Sequence, residues 1–252
     1  MSSDERIYVA SSNSVFSYDL NTSEVVEFTT IEGLSGDEIS TLFYSEIHNS
    51  LIIGYQNGLI EILNETSGEI SSFVDVQKQV NISTASQTVN SFFEDGETLY
   101  IATGFGVVSF NIATGFFGDT FFISDSQANL SNVNAVGVLE NQLVASIEGN
   151  GTFVADKNAG ALLLNFSSWT KIQDEVFLDI LKFEDSLIAY TGTTELYFFE
   201  GSVFDNVYTN SENIINLKVN ADNTTITSNL SSTILNQDFI ETSLFELSLI
   251  HI

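Results

Sequence analysis

Cysteine and proline are both absent from this 252-residue chain, and basic residues nearly so. Without Cys there is no disulfide framework and no thiol chemistry, although the compartment stays open, since exported bacterial proteins can also lack it. Without Pro, the turns depend on 16 Gly and on Asn, Asp and Ser rather than on a fixed φ. Arg6, Lys78, Lys157, Lys171, Lys182 and Lys218 stand against 34 acids, a formal balance of −28. A surface of that sign repels phosphate backbones and anionic headgroups, so no nucleic-acid partner is expected. No apolar run approaches the roughly 18 residues of a membrane-spanning helix. The opening "MSSDERIYVA" has neither a basic nor an apolar leader region, so no signal peptide is visible.

What is present is a packed-core composition, 43% hydrophobic and 12% aromatic. It is organised as a repeat. Anchor strands begin "IYVASSNSVFSYD" at Ile7, "LIIGYQNGLIEIL" at Leu51 and "LYIATGFGVVSFN" at Leu99. They continue, weaker, as "LVASIEGNGTFVA" at Leu143, "LIAYTGTTELYFF" at Leu187 and "TTITSNLSSTIL" at Thr224, at intervals of 44, 48, 44, 44 and 37 residues. A second shared strand precedes five of them: "EISTLFYS", "TVNSFFED", "NVNAVGVL", "VFLDILKF" and "NIINLKVN".

Short strands and turns at a period near 44 are the signature of β-propeller blades. The anchor strands are apolar on both faces, as blades packed face to face require. The small residues Ala10, Gly54, Ala102 and Ser146 are expected at crowded spots between blades. Phe92-Phe93 and Phe121-Phe122 place one ring on each face of a strand. The fold class is therefore all-β, a propeller of about 44-residue four-stranded blades. Five clear units and a partial sixth predict an incomplete ring over 1–247.

The unit "GLSGDEISTLFYSEIHNSLIIGYQNGLIEI" resembles the two-component-regulator propeller repeat, with its Gly-Leu-Ser turn before one strand and a Gly turn after the next. With "RIYVASSNSVFSYDL", "YIATGFGVVSFNI" and "FGDTFFI" (Phe117–Ile123), the stretch from Arg6 to Ile123 more narrowly resembles the PorZ N-terminal propeller family of the Bacteroidetes type IX secretion system. That resemblance implies an exported, non-enzymatic protein at the outer-membrane surface. It would act with a sortase and other partners in a complex that attaches secreted cargo to anionic lipopolysaccharide. Family members carry a signal peptide, a second propeller and a small C-terminal β-domain, so the resemblance implies a chain truncated at both ends. The terminal Ser248–Ile252, His251 included, resembles translated adapter sequence and is expected to be a non-native tail.

Chemistry has few carriers. A Ser-His-Asp or Cys-His arrangement needs a His or a Cys. Only His48 lies within the repeat, in the turn "EIHNS", where it reads as a solvated turn residue. One His does not anchor a zinc site. "DGETL" (Asp95–Leu99) and "NADNTT" (Asn220–Thr225) offer oxygens without calcium-loop spacing and read as hairpin turns. Trp169 suits blade packing better than sugar stacking. The glycines of "TGFGVV" and "GLSGDE" serve turns, since no helix follows to make a phosphate loop. Sequons such as "NET" and "NIS" read as ordinary turns. No catalytic, cofactor-binding or metal residue is assigned, and no cofactor is expected.

The expected function is thus an interaction propeller in a secretion attachment complex. A periplasmic sensor propeller of a hybrid histidine kinase is the alternative. A polysaccharide-active enzyme ranks third, because lyase chemistry on acidic sugars usually takes Arg, His or a metal.

Overall fold

The structure is a computed structural model that describes residues 6–124, 129–220 and 223–246; the expected tail at 248–252 lies outside them. Strands account for nearly all of the regular structure, and three single-turn 3-10 helices are the only helical elements among the described residues.

The strands form six sheets, each pairing its strands in chain order. The first holds β1 (Arg6–Ala10), β2 (Val15–Asp19) and β3 (Val25–Phe28). The second holds β4 (Ile39–Ser45), β5 (Ser50–Tyr55), β6 (Ile60–Asn64) and β7 (Ile70–Phe73). The third holds β8 (Val89–Asp95), β9 (Thr98–Thr103), β10 (Gly106–Asn111) and β11 (Phe116–Phe122). The fourth holds β12 (Val133–Leu139), β13 (Gln142–Ile147), β14 (Gly151–Asp156) and β15 (Thr170–Gln173). The fifth holds β16 (Asp179–Phe183), β17 (Ser186–Tyr190), β18 (Glu195–Phe199) and β19 (Phe204–Thr209). The sixth holds β20 (Asn216–Asn220), β21 (Asn223–Thr227), β22 (Ser231–Asn236) and β23 (Glu241–Glu246).

Six blades therefore replace the expected five and a partial sixth. The C-terminal one, expected to be fragmentary, has all four strands. Its pattern was weak because Thr224 takes the buried position that Leu51, Leu99, Leu143 and Leu187 fill in the four sheets before it. The short blade is the first. Its β1 carries the anchor sequence that falls on the second strand of every other sheet, so the strand on its inner side is missing among the described residues.

The described residues form two compact units. The first runs to residue 136 and takes in 164–166; the second holds 137–163 and everything from 167 onward. In the first unit, β5 is buried along all six residues, as a strand covered on both faces should be. One apolar layer joins the first and second sheets through Tyr8, Val15, Leu51 and Ile53. Another joins the second and third through Ile52, Ile62, Phe92 and Ile101. Gly54 sits where the sequence predicted crowding. A Cβ there would lie 2.6 Å from Val89 Cγ1 and 2.8 Å from Thr41 Cγ2. In the second unit, Leu196, Ile214, Leu217, Ile226 and Leu235 form the layer between the fifth and sixth sheets.

Phe92 and Phe93 are both buried, whereas of the pair Phe121-Phe122 only Phe121 is. Phe122 stands on the outermost strand of its sheet, and its ring lies 5.8 Å from that of Phe105.

The first sheet departs from the others on one face. Ile7, Tyr18 and Val25 form a cross-strand row, and all three are exposed together with Val9. The opposite face, carrying Tyr8 and Val15, is the buried one.

Candidate functional site

The polar side chains of the inner strands are built into the blades. In β4 and β8 the register slips by one residue, between Ile39 and Thr41 and between Val89 and Ser91. Such bulges turn the extra residue out of the ladder. Ser40 uses this to donate from Oγ to the Val89 carbonyl of the next blade, at 2.6 Å. Asn90 does the same with Nδ2, at 2.7 Å from the Val133 carbonyl and 2.7 Å from Asn132 Oδ1. Asn132 in turn donates to Asn134 Oδ1 at 2.9 Å.

Two carboxylates are likewise consumed by bracing. Glu61, only 1% exposed, receives the Tyr55 hydroxyl, the Ser35 N–H at 3.2 Å and the Ser72 hydroxyl at 3.1 Å. Ser35 belongs to the Gly-Leu-Ser turn, so this turn is pinned to its blade by a buried acid. Burial, then the bond to Glu61, pushes the Tyr55 hydroxyl pKa well up. Glu65 receives the Tyr8 hydroxyl and the Tyr44 hydroxyl at 2.6 Å. The two rings stack 5.9 Å apart, and Arg6 lies 3.8 Å from the same carboxylate. Neither network was anticipated. The signal for the first was an acid inside the apolar run "LIEIL"; its partners come from other strands and turns.

His48 is not the solvated turn residue the sequence suggested. Its side chain is 18% exposed, with Nε2 3.8 Å from Glu94 Oε1 of the neighbouring blade. Ser45, fully buried, donates to that carboxylate at 2.5 Å and accepts the backbone N–H of His48 at 3.1 Å. Burial pushes the Glu94 carboxyl up, against the opposing pull of Ser45 and His48. The three residue types match a hydrolase triad; the wiring does not. A nucleophilic Ser must give its proton to the imidazole, whereas here it gives it to the acid. The cluster is an inter-blade brace. Beside it, His48, Asn64, Glu69, Ser71, Phe73 and Ile112 line an open cleft of about 480 Å³.

The remaining candidates fall to packing and turns. Trp169 is buried, and its Nε1 donates to the Leu163 carbonyl at 3.1 Å, as expected for a packing residue. Asp95–Leu99 spans the β8–β9 turn, with Gly96 at φ 63°. Of "NADNTT", Asn220 and Asn223 face each other across β20 and β21, while 221–222 lie outside the described residues. Among the described residues no three His, Asp or Glu side chains come together as a metal ligand set.

The second unit holds one unusual acid. Asp179, at the start of β16, is partly accessible but accepts only the N–H of Ile180 among the bonds identified, at 2.9 Å. Burial pushes its carboxyl up to about 7 against that bond.

Inner strands latched blade to blade, and sheets apolar on the faces they share, define a β-propeller. The sequence matches the family "TSS9, PorZ, N-terminal beta-propeller domain" over residues 7–170. The chain belongs to the PorZ N-terminal β-propeller family. No curated protein matches it. Among solved structures it is similar to PorZ of Porphyromonas gingivalis, described as an essential surface component of the type-IX secretion system, with a TM-score of 0.78 and 19% identity. That match covers 98% of this chain and 32% of the other, so the chain spans about a third of that protein's length. The extracellular domain of a protein assigned as a hybrid two-component system of B. thetaiotaomicron follows, with a TM-score of 0.67 and 17% identity, covering 98% and 34%. A chain of the mitotic checkpoint complex reaches a TM-score of 0.68 at 12% identity, covering 97% and 77%. No helix among the described residues is long and apolar enough to cross a membrane.

Proposed function

We propose that this propeller is a non-enzymatic interaction module of a type IX secretion attachment complex, working at the outer-membrane surface with a sortase and associated proteins. The observation that carries the reading is the family match over residues 7–170. The wiring around Ser45, His48 and Glu94 supports it, since this cluster of hydrolase residue types among the described residues is arranged as a brace. The balance of −28 points to protein partners rather than direct contact with anionic lipopolysaccharide. Residues 248–252 stay outside the propeller in this reading. The test is deletion of the source gene in its own bacterium, followed by surface proteomics. Loss of surface-attached cargo, restored by the full-length gene, is the expected result; unchanged cargo would overturn it.

A sensor propeller of a two-component regulator is the second reading, favoured by the likeness to the B. thetaiotaomicron extracellular domain. Sequencing through the source locus separates the two, because a downstream transmembrane segment and kinase belong only to the sensor.

A further inference from the structure

In the second unit, Leu178 and Ile215 stand where Ser40 and Asn90 stand in the first, immediately after the apolar first residue of the inner segment (Ile39, Val89, Phe177 or Ile214). At those positions in the first unit the side chain latches one blade to the next. Leucine and isoleucine have no hydrogen bond to give. Tyr190 takes over the latch, donating from Oη to the Ile215 carbonyl at 2.9 Å. The side chains of Leu178 and Ile215 therefore take no part in a latch, and both residues are left half exposed, at 48% and 49%.

They belong to one end of the unit. Leu178 N–H donates to the Tyr190 carbonyl at the end of β17, and Ile215 N–H to the Thr227 carbonyl at the end of β21, each at 2.8 Å. Ile214 N–H reaches the Thr193 carbonyl in the β17–β18 turn, also at 2.8 Å. The β21–β22 turn joins them through Glu212, which accepts Ser228 Oγ at 2.5 Å and Leu230 N–H at 3.2 Å. Leu230 is a third aliphatic residue, 51% exposed.

The charge around the three is of one sign. Glu175, Glu195 and Glu212 lie in the turns and strand starts of this end. Lys171 is held by Asp174 at 2.5 Å. Lys182 pairs with Leu187 toward the opposite end of β17, and Lys218 lies further down β20, opposite Thr225.

We propose that this end of the second unit docks a cationic amphipathic segment of a partner protein. Its aliphatic side chains cover Leu178, Ile215 and Leu230, and its Lys or Arg side chains meet the surrounding acids. The proposal rests on the reading of the chain as an interaction module and names the surface and the partner's chemistry. Apolar anchors set inside a charged rim are the usual anatomy of a protein interface. Charge complementarity then steers the encounter and selects the partner.

The test uses a synthetic peptide alternating Lys and Leu, and a second in which every Leu is Ser, with binding measured by calorimetry. The parent is expected to bind the Lys/Leu peptide more tightly than the Lys/Ser peptide. The double substitution Leu178→Ser, Ile215→Ser is expected to weaken Lys/Leu binding by about tenfold or more, and Leu230→Ser alone by less. Val25→Ser, on the exposed face of the first sheet, leaves it unchanged. Thermal midpoints verify that each variant is folded. No binding by the parent, equal binding of the two peptides, or a double variant that binds like the parent would each overturn the proposal. Failure of the cargo experiment would leave these binding results intact, so the two ideas fail separately.

Discussion

Ser40 and Val89 are joined across two blades by a 2.6 Å hydrogen bond from hydroxyl to carbonyl, and Asn90 repeats the bond one blade further on, to Val133. Each acceptor lies on the next inner strand at the matching place. The latch is thus shared by β4 and β8, made in each by a bulge that frees one side chain.

Asn90→Ala should expose the worth of that latch. It leaves the Val133 carbonyl without this donor and is expected to cost about 1–3 kcal/mol. Ser40→Ala removes a single neutral bond and should cost about 1 kcal/mol. Urea midpoints with unchanged slopes are the check, and a neutral Asn90→Ala would show that the latch contributes nothing to stability.

Gly54→Val tests the crowding between the second and third blades. The new side chain begins with a Cβ 2.6 Å from Val89 Cγ1, so the blades must part or Val89 must turn. Overpacking of this kind costs about 1–3 kcal/mol. A lowered thermal midpoint is expected; an unchanged one would mean that the inter-blade layer is loose.

Much of this architecture could be read from the sequence, and for a definite reason. Strand β5 is buried on both faces, so "LIIG" is apolar without alternation and marks its repeat clearly. The sixth blade was faint because a hydroxyl at Thr224 replaces the buried leucine of the four preceding anchor strands. That the first blade shows only three strands among the described residues was hidden differently. A strand pattern gives faces but does not say which edge is paired. At the Glu61 brace the acid was conspicuous, yet its partner Ser35 comes from a turn 26 residues earlier, beyond any local pattern. His48 was misjudged because its environment is set by Glu94 on another blade.

Removing the carboxylate in Glu61→Leu leaves the buried Tyr55 Oη without its acceptor and frees Ser35 N–H and Ser72 Oγ, which belong to exposed residues. The expected loss is about 2–4 kcal/mol. Tyr55→Phe, which deletes one donor and keeps the ring, should cost about 1–2 kcal/mol. Chemical denaturation of both variants gives the comparison, and equal losses would contradict the shared-acceptor arrangement.

Asp179 makes stability depend on pH in an identifiable window. Its carboxyl sits at about 7 in the folded protein, against about 3.9 in an unfolded chain. The folded state therefore favours the protonated acid. That contribution is complete below about pH 4 and is lost as pH rises through about 7. Asp179→Asn removes the titration, so the variant should match the parent near pH 4 and exceed it near pH 8. The full difference in pKa corresponds to about 4 kcal/mol, and the partial access of the side chain to solvent lowers the expected gain to about 2 kcal/mol. Melting curves across that range decide it; a parallel pH profile in the two proteins would sink the assignment.

The inner edge of β1, which no other strand pairs among the described residues, and the open row Ile7, Tyr18, Val25 have a consequence for how the molecule behaves in quantity. An unpaired strand edge beside exposed apolar side chains is a template on which other chains can grow. The balance of −28 holds identical molecules apart at a range set by the Debye length, about 30 Å in dilute buffer and about 8 Å at physiological salt. Ionic strength, more than temperature, then governs whether the protein stays dispersed. Adding salt shortens that range and brings those edges within reach of one another.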